Sequence, residues 1–284
     1  MEIKRGQRIS QGLARKKRRT EIATKAGLYV LASLVLAGGI IYGLNRDEIL
    51  ISEIIVEGEE VISEETIKEF TNTELSKKYL WSIPKKNAFL YPRKKIESGL
   101  SEQFKRLDSV SVGRSSLKAL TVSIEERKER YLWCGAELVK TRTSATQCYL
   151  SDSGGYIFSE APYYSGSLFF EFYGGLSEEP ATGPVGGTIL TEEKFSVLIS
   201  FIEKLGELGL AVQKISVKAD GDYELYLEGG GKVLINSKND IAKGLENLSI
   251  ALESDPLKKK MVEERAGLDY LDVRFGNKVF FKFK

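Results

Sequence analysis

The sequence predicts an α+β protein with one membrane-spanning helix near its N-terminus, then a small α+β module, then a larger strand-rich module with packed helices. Three observations lead there: an uncharged apolar run at 26–44, a strand–helix–helix–strand–strand order over 49–127, and short alternating strands broken by helical stretches over 128–284. The 284 residues are 42% hydrophobic and 29% charged, an ordinary globular composition that excludes collagen-like, coiled-coil and wholly disordered architectures.

The apolar run reads AGLYVLASLVLAGGIIYGL, 19 residues without a charge. As a helix it covers about 28 Å, close to the hydrocarbon thickness of a bilayer. Its four glycines would weaken a helix in water but are tolerated in lipid. A buried helix of a soluble core would carry a polar face. A cleaved signal peptide would have a shorter apolar region and a small-residue cleavage site, whereas Asn45-Arg46-Asp47-Glu48 follows here. The expectation is a retained anchor.

Residues 1–25 hold nine Lys and Arg against two acids, with five consecutive cations at 15–19, while Glu48, Glu53, Glu57, Glu59 and Glu60 follow the run. The positive-inside rule then makes 1–25 a cytoplasmic basic tail and places 45–284 outside, in a single-pass inner-membrane protein. A nucleic-acid or partner-binding tail is the other reading of the basic run; topology accounts for it without either. The net charge of +2 over the whole chain argues against nucleic acid as a partner.

Histidine is absent and there are two cysteines. Ser-His-Asp and Cys-His catalysis are therefore excluded, as are imidazole and four-thiolate zinc sites. A carboxylate-based glycosidase remains chemically open, but no pair of acids stands out for it. No catalytic residue, metal, cofactor or small-molecule substrate is expected. Cys134 and Cys148 sit in strand-like stretches on either side of a polar segment at 140–147, and a hairpin would set them opposite each other. They are either a disulfide, closing a loop worth about 3 kcal/mol in the chain-entropy picture, or two buried thiols.

In the first module, Ile51, Ile54 and Val56 mark a strand ending at Gly58. Ser63 suits the N-cap of a helix reaching Leu75, with Glu64 and Glu65 favourable in its first turn. A loop from Trp81 to Leu90 leads to Pro92 and a second helix with Ile96, Leu100 and Phe104 on one face. Val110 and Val112, then Leu120, Val122 and Ile124, alternate as two strands.

The second module has candidate strands at 130–134, 148–150, 156–158, 168–173, 211–218, 223–227 and 232–235. A helix over 191–208 carries Phe195, Leu198, Ile199, Ile202, Leu205 and Leu208 on one face. Another carries Ile241, Leu245, Leu248 and Leu252, and Pro256 opens a third, basic one. Two strands close the chain. A three-residue loop, Gly276 to Lys278, would pair Phe275 with Val279 and Val273 with Phe281, so that Leu271, Val273, Phe275, Val279, Phe281 and Phe283 face one core. Asp272 would then lie across from Lys282, and Arg274, Phe280, Lys282 and Lys284 would form the outer face. The final strand is expected to be an open sheet edge whose lysines discourage indiscriminate pairing and favour an acidic partner strand. A protected, unused edge is the alternative.

Several stretches together resemble the FtsQ/DivIB family of bacterial cell-division proteins. Ile54-x-Val56-x-Gly58, then Ile62-Ser63 and Ile67, are similar to the start of that family's POTRA domain. Leu120-x-Val122-x-Ile124-Glu125-Glu126-Arg127 is similar to its last strand and the Glu-Arg pair beyond, with Trp133 following. Ser151-Asp152-Ser153-Gly154-Gly155-Tyr156-Ile157-Phe158 is similar to the Asp-x-x-Gly turn of the β domain, and Leu271-Asp272-Val273-Arg274-Phe275 to the Asp-x-Arg-aromatic motif near the C-terminus. The chain departs from the family at Lys128-Glu129 and Ser115-Ser116, where prolines are usual, and in its cysteines and the insert at 140–147.

The resemblance implies a POTRA domain at 49–127 with β-α-α-β-β order and a β domain at 128–284. It further implies a non-enzymatic divisome scaffold at the septum that helps control septal peptidoglycan synthesis. Its partners would be FtsL- and FtsB-like single-span proteins, with Arg274 and Phe275 at the contact with a strand taken up by the last strand. The partner-binding set expected on this basis is Arg274, Phe275, Val279, Phe280, Phe281, Lys282 and Phe283. An anchored extracytoplasmic cell-wall enzyme and a sensor or adhesion module are the competing functions.

Overall fold

The structure is a computed structural model. It describes all residues except 1, 2, 80, 81, 140, 165–167, 239 and 264–266, and no side chains at 3–17, 20, 262 or 263. Trp81 and Lys140, which open two of the expected loops, lie outside the described residues. The protein is mixed α/β and falls into two compact units, Met1–Gln103 with Ser109–Glu125, and Phe104–Asp108 with Glu126–Lys284.

The first unit opens with helix α1 (Ile3–Leu44), which continues upstream of the apolar run through the basic segment. Within its portion Glu21–Leu44 the most apolar 18-residue stretch has a mean hydropathy of 1.9, and none of that stretch is buried. Among the described residues it is the single helix long and apolar enough to cross a membrane. After a 3₁₀ turn at Asp47–Ile49 come β1 (Glu53–Glu57), α2 (Glu64–Leu75), a two-rung hairpin of β2 (Lys78–Tyr79) and β3 (Ile83–Pro84), α3 (Arg93–Gln103), β4 (Leu107–Arg114) and β5 (Ala119–Glu126). Ser63 caps α2 by accepting a hydrogen bond from the Thr66 amide, which satisfies one of the amides that the first helical turn leaves without a partner.

The small sheet runs β1-β5-β4, with β1 and β5 parallel and Ile54 and Val56 beside Leu120 and Val122. Those four residues bury with Ile67, Ile96, Leu100 and Val112. Gly58 ends β1 with φ near +91°, and a Cβ there would fall 2.1 Å from the Ile124 carbonyl oxygen, so only glycine lets the chain leave the sheet at that point.

The second unit is one nine-stranded mixed sheet. Its strands in chain order are β6 (Tyr131–Trp133), β7 (Tyr149–Ser151), β8 (Ile157–Glu160), β9 (Phe170–Gly174), β10 (Val212–Val217), β11 (Asp222–Leu227), β12 (Lys232–Asn236), β13 (Leu268–Phe275) and β14 (Lys278–Phe283). In space they run β14-β13-β12-β11-β10-β9-β6-β7-β8. Parallel neighbours need a crossover, and α4 (Glu192–Glu207) supplies it between β9 and β10, as α5 (Ile241–Glu253) does between β12 and β13. Phe195, Leu198, Ile202 and Leu205 of α4 and Leu248 of α5 share one core with Phe172, Ile215, Leu225, Val233 and Leu271 of the sheet.

Two details of the helices differ from the sequence pattern. Leu208 is the C-cap of α4 and stays exposed, while Phe201, one turn after Val197 and beside Ile202, is buried instead. The stretch after Pro256 is a π-helical turn at Lys259–Glu263 rather than a regular helix.

Candidate functional site

The last hairpin is built differently from the three-residue loop that alternation suggested. Gly276 and Asn277 make a two-residue turn with Phe275 opposite Lys278, and Gly276 takes the left-handed φ of 64° that such turns require. The register then shifts, so that Val273 and Arg274 together oppose Val279, and Asp272 meets Phe280. This bulge supplies the extra residue that a longer loop would have supplied. Leu271 and Val273 therefore stay buried, with Val279, Phe281 and Phe283 half-buried against the same core. Phe275 does not: it is 56% exposed, and its ring stands edge-on to Phe280, itself 48% exposed, at 5.3 Å. Nor does Asp272 face Lys282, which lies opposite Tyr270 and pairs with Asp269 at 3.0 Å.

Strand β14 is a terminal strand of the sheet. The Lys284 amide donates back to the Gly267 carbonyl at 2.8 Å. Backbone groups along a strand alternate in direction, so those of Lys278, Phe280, Lys282 and Lys284 point toward β13 and those of Val279, Phe281 and Phe283 point out of the sheet. The same three residues turn their side chains into the core. The margin is thus a row of backbone donors and acceptors held firmly from behind, with Lys278, Phe280 and Lys282 lining its outer face.

Helix α5 and the neighbouring strands fix this hairpin. Asn247 of α5 donates from Nδ2 to the Gly276 carbonyl at 3.0 Å. The Arg274 guanidinium donates from Nε and Nη2 to both carboxylate oxygens of Asp272, at 2.9 and 2.6 Å, and from Nη1 to Asp222 on β11. The Asp222 carboxylate also accepts from the Asn236 side-chain amide on β12. Arg274 therefore clamps three strands together. Burial opposes the charge on Asp222, but Asn236 and Arg274 outweigh it and hold its pKa below the usual value. Hydrogen bonding to Asp272, then to Asp222, raises the Arg274 pKa against the cost of burial. Asp222, Arg274, Lys218 and Glu224 line a shallow open depression on this face.

Of the expected set, then, Phe275, Phe280 and Lys282 present side chains to solvent, Val279, Phe281 and Phe283 present backbone, and Arg274 is engaged within the chain. Asp222 and Asn236 are members of the cluster that periodicity did not reveal, because they belong to strands far away in sequence. The Asp-x-Arg spacing was the available signal for Asp272.

Cys134 and Cys148 form a disulfide at the far end of the sheet, one step beyond the Trp133–Tyr149 pair of β6 and β7. Next to it the segment after Cys134 brings Arg142 to Glu171, 3.3 Å apart and both nearly buried, with Lys214 3.2 Å from the same carboxylate and the Tyr173 hydroxyl donating to it at 2.9 Å. Elsewhere in this unit Arg127 reaches both Asp108 and Asp152 and stacks on Tyr156, while Asp152 accepts from the Gly154 and Tyr156 amides. The Glu-Arg pair and the Asp-x-x-Gly turn noted in the sequence thus meet in space.

Among the described residues no group of three or more His, Cys, Asp or Glu side chains is placed to hold a metal ion. No protein-family model matches the chain, and no curated protein matches it.

Proposed function

We propose that this protein is a membrane-anchored assembly factor of the FtsQ/DivIB type, without catalytic activity of its own, which recruits FtsL- and FtsB-like single-span proteins to the division septum by adding a partner strand to β14. The observation that carries this reading is the geometry of β14: an edge strand whose outward backbone belongs to residues locked into the core, beside an exposed Phe275–Phe280 pair. Main-chain bonds supply affinity in strand addition, and side chains beside the edge supply selection. Lysines at 278, 282 and 284 keep a bare edge from pairing with copies of itself and suit an acidic partner.

Two further features support the reading. The first unit has the strand–helix–helix–strand–strand order expected of a POTRA domain, with the small β2–β3 hairpin added between its helices. The apolar helix, with cations before it and acids after it, suits an anchor that leaves residues 45–284 on the outer side of the inner membrane.

The test is co-purification with the FtsL- and FtsB-like proteins of the same cell. Phe281→Pro removes an outward amide without removing a bond to β13, and Phe281→Val keeps that amide while trimming the ring. Capture is expected to be lost with proline and retained with valine. Full capture by the proline variant would overturn strand addition at β14. A fluorescent fusion of the intact chain should form a midcell band in dividing cells; uniform envelope signal would remove the septal assignment.

A further inference from the structure

A second surface sits where α1 ends. The Asn87 side chain, fully buried, donates from Nδ2 to the carbonyl of Leu44, the last residue of α1, at 2.8 Å. Leu50 and Asn87 form an isolated bridge, and the Ala88 amide donates to the Ile49 carbonyl at 2.9 Å. The segment around Asn87 is therefore fastened to the exit of the apolar helix. Consecutive Cα atoms are about 3.8 Å apart, so Lys85, Lys86 and Phe89 have backbones within about 8 Å of Asn87. The headgroup layer beyond the hydrocarbon is roughly 5–8 Å deep on each side. With α1 in a bilayer, that segment lies at headgroup depth.

Its chemistry suits the depth. From Ser76 to Ile96 the sequence has seven Lys and Arg and no Asp or Glu. Glu74 pairs with Lys77 and Lys95, and Glu97 with Arg93. Among the described residues no carboxylate forms an ion pair with Lys85 or Lys86, and the Lys85 ammonium stands over the Tyr79 ring at 5.3 Å. Phe89 is 61% exposed, and its ring carries the Arg114 guanidinium at 4.8 Å, while that guanidinium also donates to the Ala88 carbonyl at 3.1 Å. An exposed ring with a cation stacked on it, flanked by lysines that no carboxylate neutralises, combines an apolar wedge with a positive rim.

We infer that this segment is a second membrane contact: Lys85, Lys86 and Arg114 bind anionic phospholipid headgroups of the leaflet that α1 leaves, and Phe89 enters the interface between them. The inference rests on the anchor reading of α1. It gives the first unit a fixed seat on the bilayer rather than a tether.

The full chain is reconstituted in vesicles of phosphatidylcholine alone or with about one-third phosphatidylglycerol, and acetylation of each lysine is timed by mass spectrometry. Phosphatidylglycerol should slow Lys85 and Lys86 about fivefold and lose its effect in about 0.5 M salt. Soluble glycerol phosphate should not reproduce the slowing. A photoreactive phenylalanine analogue should crosslink to lipid at position 89. Unchanged Lys85 and Lys86 in a chain that resists alkaline extraction overturns the second contact and leaves the anchor standing. Equal slowing by soluble glycerol phosphate overturns the lipid assignment. Extraction by alkali overturns the anchor itself and this inference with it.

Discussion

The two margins of the nine-stranded sheet are treated in opposite ways. At β8 the segment at 186–188 closes the start of the edge: the Ile157 amide donates to the Gly187 carbonyl at 2.9 Å, the Gly186 amide to the Ile157 carbonyl at 2.7 Å, and Tyr156 bridges to Thr188. A disulfide and a buried Arg142–Glu171–Lys214 cluster stiffen the strands just inside it. At β14 the strengthening lies behind the edge, in the Arg274 clamp and the Asn247 bond from α5, and no described segment pairs with the outer row of amides. One sheet thus shows both solutions to the edge problem. An edge that is braced but left unpaired is ready to accept a strand without the cost of ordering it first.

Breaking the closed margin should cost most. Replacing Cys134 and Cys148 together with serine opens a loop with a sequence separation of 14 residues and is expected to lower stability by about 3 kcal/mol in urea unfolding. Capture of the partner at β14 should be unaffected where the protein remains folded. If capture weakens in step with stability, the margins are not independent and the contrast fails.

The clamp behind the open margin comes next. Arg274→Ala leaves the buried Asp272 and the Asp222 carboxylate without their shared cation, which should cost about 1–3 kcal/mol in the same measurement. Arg274→Lys should restore little of it, because a point charge cannot span both carboxylates in the fork geometry. A neutral Arg274→Ala would mean that the hairpin is held by its apolar side chains alone.

Acid separates the halves of the sheet in a third way. Burial disfavours the charged form of Glu224 on β11, but hydrogen bonds from Lys232 and Tyr226 and the charges of Lys232 and Lys218 bring its pKa down to about 2 from an ordinary 4.5. A carboxylate with a depressed pKa binds its proton more weakly folded than unfolded. Its stabilisation is complete above about pH 4.5 and is lost as pH falls toward 2. Asp222 is lowered as well, so the half of the sheet nearer β14 should lose stability over that window. Unfolding free energy measured from pH 5 to 2 should fall, and Glu224→Gln should flatten the fall.

Much of this architecture was legible because it rests on periodicity. The alternation of Leu120, Val122 and Ile124, the spacing of Ile96 and Leu100, and the Ser63 cap each leave a local mark that the structure reproduces. The bulge at Val273 and Arg274 left none. A longer loop and a bulge both insert one residue into the register, and both keep Val273, Val279 and Phe281 inward. They differ in the fate of Phe275, which alternation assigns to the core and the structure turns outward against Phe280. The β2–β3 hairpin has two residues per strand, too few to show a period. Arg142 meeting Glu171 and Arg274 meeting Asp222 depend on strand order, which no local pattern encodes. The open edge was legible as a strand of alternating character, but that its outward backbone belongs to Val279, Phe281 and Phe283 required the direction of one hydrogen bond.

The smallest effect is expected at Lys282, and it separates bracing from recognition. Its ion pair with Asp269 is exposed on both partners, so solvent and salt screen most of the attraction. The raised Lys282 pKa, caused first by the hydrogen bond to Asp269, belongs to a solvent-exposed group and adds nothing to stability that a melt would resolve. Lys282→Ala should leave the thermal midpoint where it is. Yet the same ammonium stands on the outer face beside the row of outward amides, where an acidic partner strand would pass. Association should slow about two- to threefold at low salt and converge with the parent at high salt, while dissociation stays the same. A drop in the melt with unchanged association would reverse the assignment, making Lys282 part of the brace and leaving Phe275 and Phe280 to recognise the partner alone.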